Sequence, residues 1–267
     1  MGLAHGTIGW ADVAVPDMAA GETFYEGLFG WEAQPGESES FPYTMFVRDG
    51  KLVAGMGALS PEQVEAGQPP SWSSYVIVED VDEAFAKAIE LGATPIMEPM
   101  DIMDAGRMFF IVDPVGATIG FWQSGTHDGA EVFNEPNTMS WNEIASRDVD
   151  AAVAFYTELL GWNAEAMDFD GFPYTVLKIG DHSNGGAYDM SGFVPDEILA
   201  HWLVWFIVED CAKAAGTAVE LSGTVQRAPE ENGIGISAVV SDPFEAAFGI
   251  IQTTRVDGQP VDGQPSR

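Results

Sequence analysis

Two acidic residues occupy matching places in the two halves of the sequence, and both could transfer a proton. Asp12 follows Trp10 by two residues, and Glu143 follows Trp141 in the same way. Because residues i and i+2 of a strand point to one face, each carboxyl should share a cleft with a tryptophan. Burial raises the pKa of a carboxyl and turns it into a proton acceptor, so we predict both acids as catalytic residues. The alternative is that each carboxyl bonds a neighbouring strand or lies at a wet rim.

Aromatic residues and methionines occupy predicted strands near both acids. Together they suit an apolar pocket for a flat organic ligand, whereas core packing is the competing role of each one. The predicted ligand-binding residues are Trp10, Tyr43, Met56, Trp72, Tyr75, Arg107, Phe109 and Trp122 in the first half, and Trp141, Tyr174 and Trp205 in the second.

Arg107 is the one base in this set. It could pair with Asp104 or hold an anionic group of a ligand, whereas its counterpart Ile236 can do neither. If the chain has a single ligand site, we therefore expect it in the first half.

Other catalytic or metal-binding patterns are not found in the sequence. None of the histidines has a metal-site spacing such as HxH or HExxH, so we expect them on the surface or in turns. The single cysteine excludes an internal disulfide. The histidines are His5, His127, His182 and His201.

A duplication supplies the elements that must position these residues. WADVAVPDMAAGETFYEGLFGW at 10–31 returns as WNEIASRDVDAAVAFYTELLGW at 141–162. Each copy predicts a strand and then an amphipathic helix that begins after Asp17 or Asp148, residues suited to an N-cap. Gly30 and Gly161 fit the left-handed position that ends a helix.

The rest of each half repeats the same order of elements. In the first half we predict strands at 41–47 and 52–59, a strand from Trp72, a helix at 82–91, and strands near 95–97, 106–112 and 117–123. The polar residues after Trp31 are predicted to form a loop. Each half thus contains a strand–helix–strands unit twice. We predict an α+β fold of two tandem modules, each with two βαβββ units that form curved, mostly antiparallel sheets around a cleft.

The predicted organisation is a first module at 1–125, a linker at 126–138, a second module at 139–255 and a tail at 256–267. The chain has 42 Asp and Glu residues and 10 Lys and Arg residues, which gives a formal charge of −32. That field repels nucleic acid and anionic membranes, so we expect neither as a partner. Without a secretion signal or an apolar run of membrane length, we expect a cytoplasmic protein. It could be a monomer with paired modules or a homodimer.

Three segments carry a resemblance to a known family: PDMAAGETFYEGLFGW, YVIVEDVDEAFAKAIELGA and DPVGATIGFWQ, each with a counterpart in the second half. With four βαβββ units in two modules, the chain resembles the vicinal-oxygen-chelate superfamily, which includes glyoxalase I, extradiol dioxygenases and bleomycin-resistance proteins. Its layout is similar to that of two-module actinobacterial proteins. A shared fold does not assign a reaction.

The resemblance also implies where a metal would bind. Metal-using members place His, Gln or Glu on the first strand and on the strand that opens the second unit, and Glu on the last strand. None of the residues at these places is an ordinary divalent-metal ligand, apart from a weak serine hydroxyl. We therefore expect no metal and no cofactor. The places fall on Trp10, Ser73 and Gly120 in the first module, and on Trp141, Leu203 and Gly249 in the second.

Our first interpretation is a metal-independent protein that binds a small apolar or aromatic molecule, either to sequester it or to act on it by acid–base chemistry. Two alternatives stay open. One is a glyoxalase-like lyase or dioxygenase with a non-standard metal site. The other is an interaction or antigen-like protein without a small ligand.

Overall fold

The computed structural model describes residues 2–38, 41–169, 171–192 and 194–253. The predicted tail at 256–267 and the end of the second module lie outside these residues. The strands of the first half are β1 Ile8–Val15, β2 Glu32–Pro35, β3 Tyr43–Arg48, β4 Lys51–Ala58, β5 Ser71–Ile77, β6 Thr94–Ile102, β7 Gly106–Val112 and β8 Thr118–Ser124. Those of the second half are β9 Met139–Ser146, β10 Asn163–Phe169, β11 Phe172–Ile179, β12 His182–Asp189, β13 His201–Ile207, β14 Thr224–Asn232, β15 Gly235–Ser241 and β16 Ala247–Thr253. The helices are α1 Met18–Phe29, α2 Pro61–Glu65, α3 Val81–Glu90, α4 Val149–Leu160 and α5 Cys211–Glu220.

The strands form two eight-stranded sheets with the same order. The first is β2-β3-β4-β1-β5-β8-β7-β6, and the second is β10-β11-β12-β9-β13-β16-β15-β14. Within the first sheet only the pairs β1–β4 and β5–β8 are parallel, and the second sheet repeats this with β9–β12 and β13–β16. The predicted α+β fold of tandem modules is confirmed.

The long helices begin and end where cap chemistry predicts. Asp17 accepts a hydrogen bond from the backbone of Ala20 at 3.1 Å, and Asp148 repeats this contact at the start of α4. At the other ends, Gly30 and Gly161 have φ values of 66° and 70°. Residues with a side chain rarely adopt this left-handed backbone conformation, which explains why glycine ends both helices.

The edge strands differ from the prediction. The residues after Trp31, predicted as a loop, form β2, and β6 extends well beyond the predicted 95–97. The short helix α2 lies in a segment for which no helix was predicted. Both edge strands are mostly exposed, so their sequences lack the alternation of apolar and polar residues that identifies a half-buried strand.

Side chains between the helices and the sheets join the two modules into shared cores. The unit built around α1 packs against the unit built around α5, and the units of α3 and α4 pack together in the same way. Two matching hydrogen-bond chains cross these contacts. In one, Trp72 Nε1 donates to the Tyr25 hydroxyl, which donates to Asp242 at 3.0 Å. In the other, Trp202, Tyr156 and Asp113 are linked in the same order.

The segment predicted as a linker packs against the first sheet. The backbone N–H of Ala130 donates to the carbonyl of Gly9 at 2.8 Å, and that of Glu131 donates to Leu52. Ala130 and Val132 are buried. The described residues include no helix with the length and apolar character of a membrane span.

Candidate functional site

Asp12 lies at the centre of one face of the first sheet, the face opposite its helices. We call this face the first cup; it carries Trp10, Asp12, Tyr43, Tyr75 and Trp122. On β1, Asp12 is in register with Gly55 of β4 and Ser73 of β5. A Cβ atom at Gly55 would lie 1.9 Å from the Tyr43 hydroxyl oxygen, so only glycine lets this tyrosine reach the carboxyl.

One oxygen of the Asp12 carboxyl accepts hydrogen bonds from two tyrosine hydroxyls. Tyr43 and Tyr75 donate to Oδ2 at 3.0 and 2.8 Å. Trp10 Nε1 in turn donates to the Tyr43 hydroxyl at 3.1 Å and orients it toward the acid. No described residue donates a hydrogen bond to Oδ1, so this oxygen is available to a ligand.

The surroundings of Asp12 move its titration toward neutral pH. Burial raises the pKa of the carboxyl to about 6, although the hydrogen bonds from Tyr75 and Tyr43 oppose the shift. Burial, together with the charge of Asp12, raises the pKa of both tyrosines well above the ordinary value, which keeps them protonated as donors. Asp12 is only partly buried, so part of the residue is accessible from outside the sheet.

Apolar side chains form the walls of the first cup. The rings of Phe110 and Tyr75 meet edge to face with centroids 5.2 Å apart. Met45 and Met108 pack against the same cluster. These residues were absent from the predicted set. Phe110, not the predicted Phe109, faces the cup.

His127 closes one end of this cup, contrary to the prediction of a surface or turn histidine. It is 9% exposed, and its ring lies 4.5 Å from that of Trp10 and 5.6 Å from that of Trp122. Trp122 Nε1 donates to the backbone carbonyl of His127 at 2.9 Å. Burial lowers the pKa of the imidazole, and its Nε2 atom has no hydrogen-bond partner among the described residues.

The second sheet repeats the arrangement around Glu143 with a different set of donors. We call this face the second cup; it carries Trp141, Glu143, Tyr174, Trp205 and Arg227. Tyr174 donates to Glu143 Oε2 at 2.8 Å and accepts from Trp141 Nε1 at 2.7 Å. Trp205 Nε1 donates to Oε1 at 3.0 Å. Both oxygens of Glu143 are thus engaged.

A cation distinguishes the second cup. The guanidinium carbon of Arg227 lies 5.5 Å from the ring centroid of Trp205. Burial raises the pKa of Glu143, while hydrogen bonds from Tyr174 and Trp205 and the charge of Arg227 oppose the shift. No cation contributes to the titration of Asp12 in the first cup.

Three predicted ligand-binding residues lie on the helix side of the first sheet, so the prediction that they line a cup is wrong. Met56 is fully buried beneath α1, and Trp72 donates to Tyr25 in the core between the modules. Phe109 stacks on Phe121 at 4.5 Å between ring centroids. Side chains alternate along a strand, so each of these residues faces away from its neighbours in the cup.

Arg107 also faces the helix side and has other partners than predicted. Its guanidinium bonds Asp82 and Asp101, each at 2.9 Å, and not Asp104. With two carboxylates bound to it on the wrong face, it cannot hold an anionic group of a ligand in the cup.

The comparisons with known proteins agree with this architecture. The sequence model of the Glyoxalase/Bleomycin resistance protein/Dioxygenase superfamily matches residues 7–121. CFP32 of Mycobacterium tuberculosis, whose name refers to a glyoxylase, is 38% identical over 254 residues, which cover 93% of this chain and 95% of that protein. The chain belongs to this superfamily. Another relative, the anthracycline biosynthesis protein DnrV of Streptomyces peucetius, is 34% identical over 264 residues and 94% of each chain.

A solved structure of the superfamily shares the fold. The Mn(II)-bound glyoxalase from Novosphingobium aromaticivorans superposes with a TM-score of 0.63 at 14% identity, covering 93% of this chain and 83% of that one. At this identity the likeness concerns the fold alone.

The residues of neither cup fit a metal of the kind that the superfamily implies. In the described parts of the chain, His, Cys, Asp and Glu form no group of three or more that could hold an ion. A Cβ atom at Gly120 would lie 2.6 Å from the Tyr75 ring, and one at Gly249 would lie 2.1 Å from the Trp205 ring. Aromatic rings thus fill the space that a last-strand glutamate would need. The first cup keeps the Asp12 carboxyl and the His127 imidazole, and the second keeps the Glu143 carboxyl, so neither cup supplies the three His or carboxylate ligands of such a site; the other donors are phenols and indoles, which divalent metals do not favour.

Proposed function

We propose that this superfamily member binds a small apolar or aromatic molecule in its first cup, and that Asp12 exchanges a proton with it without a metal. One observation carries the proposal. Both tyrosine hydroxyls bond Oδ2 of Asp12, so Oδ1 stays open to a ligand. A carboxyl with a pKa of about 6 exchanges protons readily near neutral pH.

The walls of the first cup suit a flat, apolar ligand. Tyr75, Phe110 and Trp122 offer aromatic surfaces, and the flexible thioethers of Met45 and Met108 adapt to ligand shape. The name of DnrV links that relative to anthracyclines, which are polycyclic aromatic compounds. This supports an aromatic ligand with polar substituents.

Asp12 would act as the general base in this cup. Oδ1 accepts a proton from an acidic O–H or C–H of the ligand, whose bonding electrons stay on the ligand as an anion. Tyr43 and Tyr75 keep the carboxyl in place through Oδ2 during the transfer. Return of the proton to the same or another ligand atom restores the carboxylate. If the ligand lacks an acidic hydrogen next to Oδ1, the same contact is a hydrogen bond that retains the ligand.

A ligand screen tests the proposal. Polycyclic aromatic compounds, with an anthracycline first, are added to the wild type, Asp12→Asn and the matched second-cup variant Glu143→Gln, and melting temperatures are recorded. A ligand that binds only the folded protein raises the melting temperature. We expect binding by the wild type and Glu143→Gln, and affinity at least about tenfold weaker in Asp12→Asn, since hydrogen bonds to charged groups contribute about 1.5–3 kcal/mol.

Two results would overturn the proposal. In the first, no compound stabilises the wild type, or Asp12→Asn binds as tightly as the wild type. In the second, mass spectrometry of untagged protein finds near-stoichiometric metal.

A further inference from the structure

The wall of the second cup carries a cation at the position of a methionine in the first. Strand register aligns Tyr75, Gly120, Phe110 and Met97 in one row across β5, β8, β7 and β6. The corresponding row across β13, β16, β15 and β14 is Trp205, Gly249, Val239 and Arg227.

The replacement of Met97 and Phe110 by Arg227 and Val239 changes the side chain that covers the first ring of each row, Tyr75 or Trp205. In the first cup, Phe110 packs against Tyr75. In the second, Val239 is too short to cover Trp205, and the Arg227 guanidinium lies over the indole instead. A cation over an aromatic face is attracted by the π electrons, which holds Arg227 toward the cup.

The Arg227 guanidinium keeps its hydrogen-bond donors available. It is exposed, and none of the described carboxylates forms an ion pair with it. Glu143 accepts hydrogen bonds from Tyr174 and Trp205, and no hydrogen bond or ion pair joins it to Arg227 among the described residues. A planar guanidinium fork of this kind binds a carboxylate through two parallel hydrogen bonds.

At two further positions a methionine of the first cup is replaced by a smaller residue in the second. Met108 is replaced by Ser237. Met108 pairs with Trp122 of β8 and Ser237 with Ile251 of β16, and these two partners occupy matching positions. Met45, in register with Gly55, is replaced by Val176, in register with Gly186. At these positions the second cup combines smaller side chains with a positive charge, while Tyr188 stands at the position of Gly57 in the first cup and stacks on Tyr174.

The charges predict different ligands for the two cups. Asp12 has no cation beside it, so the first cup disfavours anions. In the second cup, Arg227 offsets the charge of Glu143. We propose that the second cup binds a small organic anion, a planar carboxylate, with Arg227 as its ion-pair partner. The inference rests on the proposal that the cups take small molecules, but it depends on Arg227 and not on Asp12.

Benzoate and its neutral isostere benzamide test this inference. Binding at millimolar concentration is measured by ligand-observed NMR with the wild type, Arg227→Gln, Arg227→Lys and Asp12→Asn. We expect benzoate to bind the wild type and Asp12→Asn equally, and Arg227→Gln at least about tenfold more weakly, because a charge-assisted bidentate pair is lost. Arg227→Lys should recover part of the benzoate affinity. Benzamide should bind Arg227→Gln and the wild type with the same affinity.

If the wild type does not bind benzoate, or if Arg227→Gln binds it unchanged, the inference is wrong. Tighter benzoate binding by Asp12→Asn, from which the repelling carboxylate has been removed, would place the anion in the first cup and also overturn the inference. Arg227 is exposed, so its variants should fold, and an unchanged melting temperature without ligand verifies this. Failure of the aromatic screen at Asp12 would leave the benzoate result standing, so the two proposals fail separately.

Discussion

The Tyr75 hydroxyl lies 2.8 Å from Oδ2 of Asp12 and donates a hydrogen bond to it. In the second cup Trp205 stands at the position of Tyr75. Tyr174 donates to Oε2 of Glu143, and Trp205 donates to the other oxygen, Oε1. This exchange leaves one oxygen of Asp12 open, whereas both oxygens of Glu143 are engaged. The two halves of a duplicated chain therefore offer different chemistry on the same fold.

Removal of either tyrosine hydroxyl should raise the pKa of Asp12 further. The hydrogen bonds from Tyr75 and Tyr43 favour the ionised carboxyl and oppose the effect of burial. We expect Tyr75→Phe and Tyr43→Phe to move the Asp12 midpoint above about 6, and Tyr174→Phe in the second cup to leave it unchanged. Carbon-13 NMR of labelled aspartate measures the midpoint. An unchanged or lower value in both first-cup variants would contradict the assignment of these donors.

Asp12→Asn should stabilise the fold at neutral pH. The folded protein retains the Asp12 proton up to a pH of about 6, while an unfolded chain releases it near about 3.9. Stability therefore falls as pH rises through this interval, and ionised Asp12 costs about 1–3 kcal/mol at pH 7, with allowance for its partial exposure. Urea denaturation should show this gain for the variant at pH 7 and little difference at pH 4. A variant that is less stable than the wild type at pH 7 would contradict the prediction.

Gly120→Ala should destabilise the protein because the added Cβ would lie 2.6 Å from the ring of buried Tyr75. Overpacking of this kind costs about 1–3 kcal/mol. Gly216→Ala is the matched control: Gly216 lies in α5, and no neighbouring atom lies within 4 Å of the added Cβ. There we expect no loss, or a gain of about 0.5–1 kcal/mol. Thermal unfolding compares the two variants, and equal stability would show that the ring moves freely aside.

Tyr25→Phe and Tyr156→Phe should each weaken the contact between the modules. Each substitution removes the hydroxyl that donates to a buried carboxyl, that of Asp242 or Asp113. It also leaves a tryptophan N–H without its acceptor. An unsatisfied buried polar group costs about 1–3 kcal/mol, so we expect losses of this size from both. Urea denaturation measures them. A negligible loss from either variant would show that water replaces the hydroxyl.

The fold could be predicted because its signals are local and occur twice. Asp17 and Gly30 cap α1 through their own side chain and backbone conformation, and Asp148 and Gly161 repeat the pattern. The edge strand β2 could not be predicted in this way. Its exposed residues pack against no core, and its hydrogen bonds depend on β3.

The sequence predicts only part of the candidate site, because the predicted aromatic residues lie on both faces of the first sheet. Asp12 shares a face with Trp10, as the spacing of two indicates. Trp72 and Tyr75 are three residues apart on one strand, so they cannot share a cup, and the same parity separates Phe109 from Phe110.

His127 could not be placed from its sequence neighbourhood. The segment around it is polar and resembles an exposed linker. Backbone bonds such as that from Ala130 to Gly9 hold the segment against β1 and bury the imidazole between two tryptophans. Only the tertiary structure supplies these contacts.

The pH midpoint of the Asp12 carboxyl decides whether this residue can exchange protons near neutral pH. Carbon-13 NMR of aspartate-labelled protein follows each side-chain carboxyl with pH, and Asp12→Asn assigns the signal by its loss. We expect a midpoint at a pH of about 6 for Asp12, which would make it a proton-exchanging group near neutral pH. A midpoint at or below about 4, the ordinary range of aspartate, would show that Asp12 is not such a group.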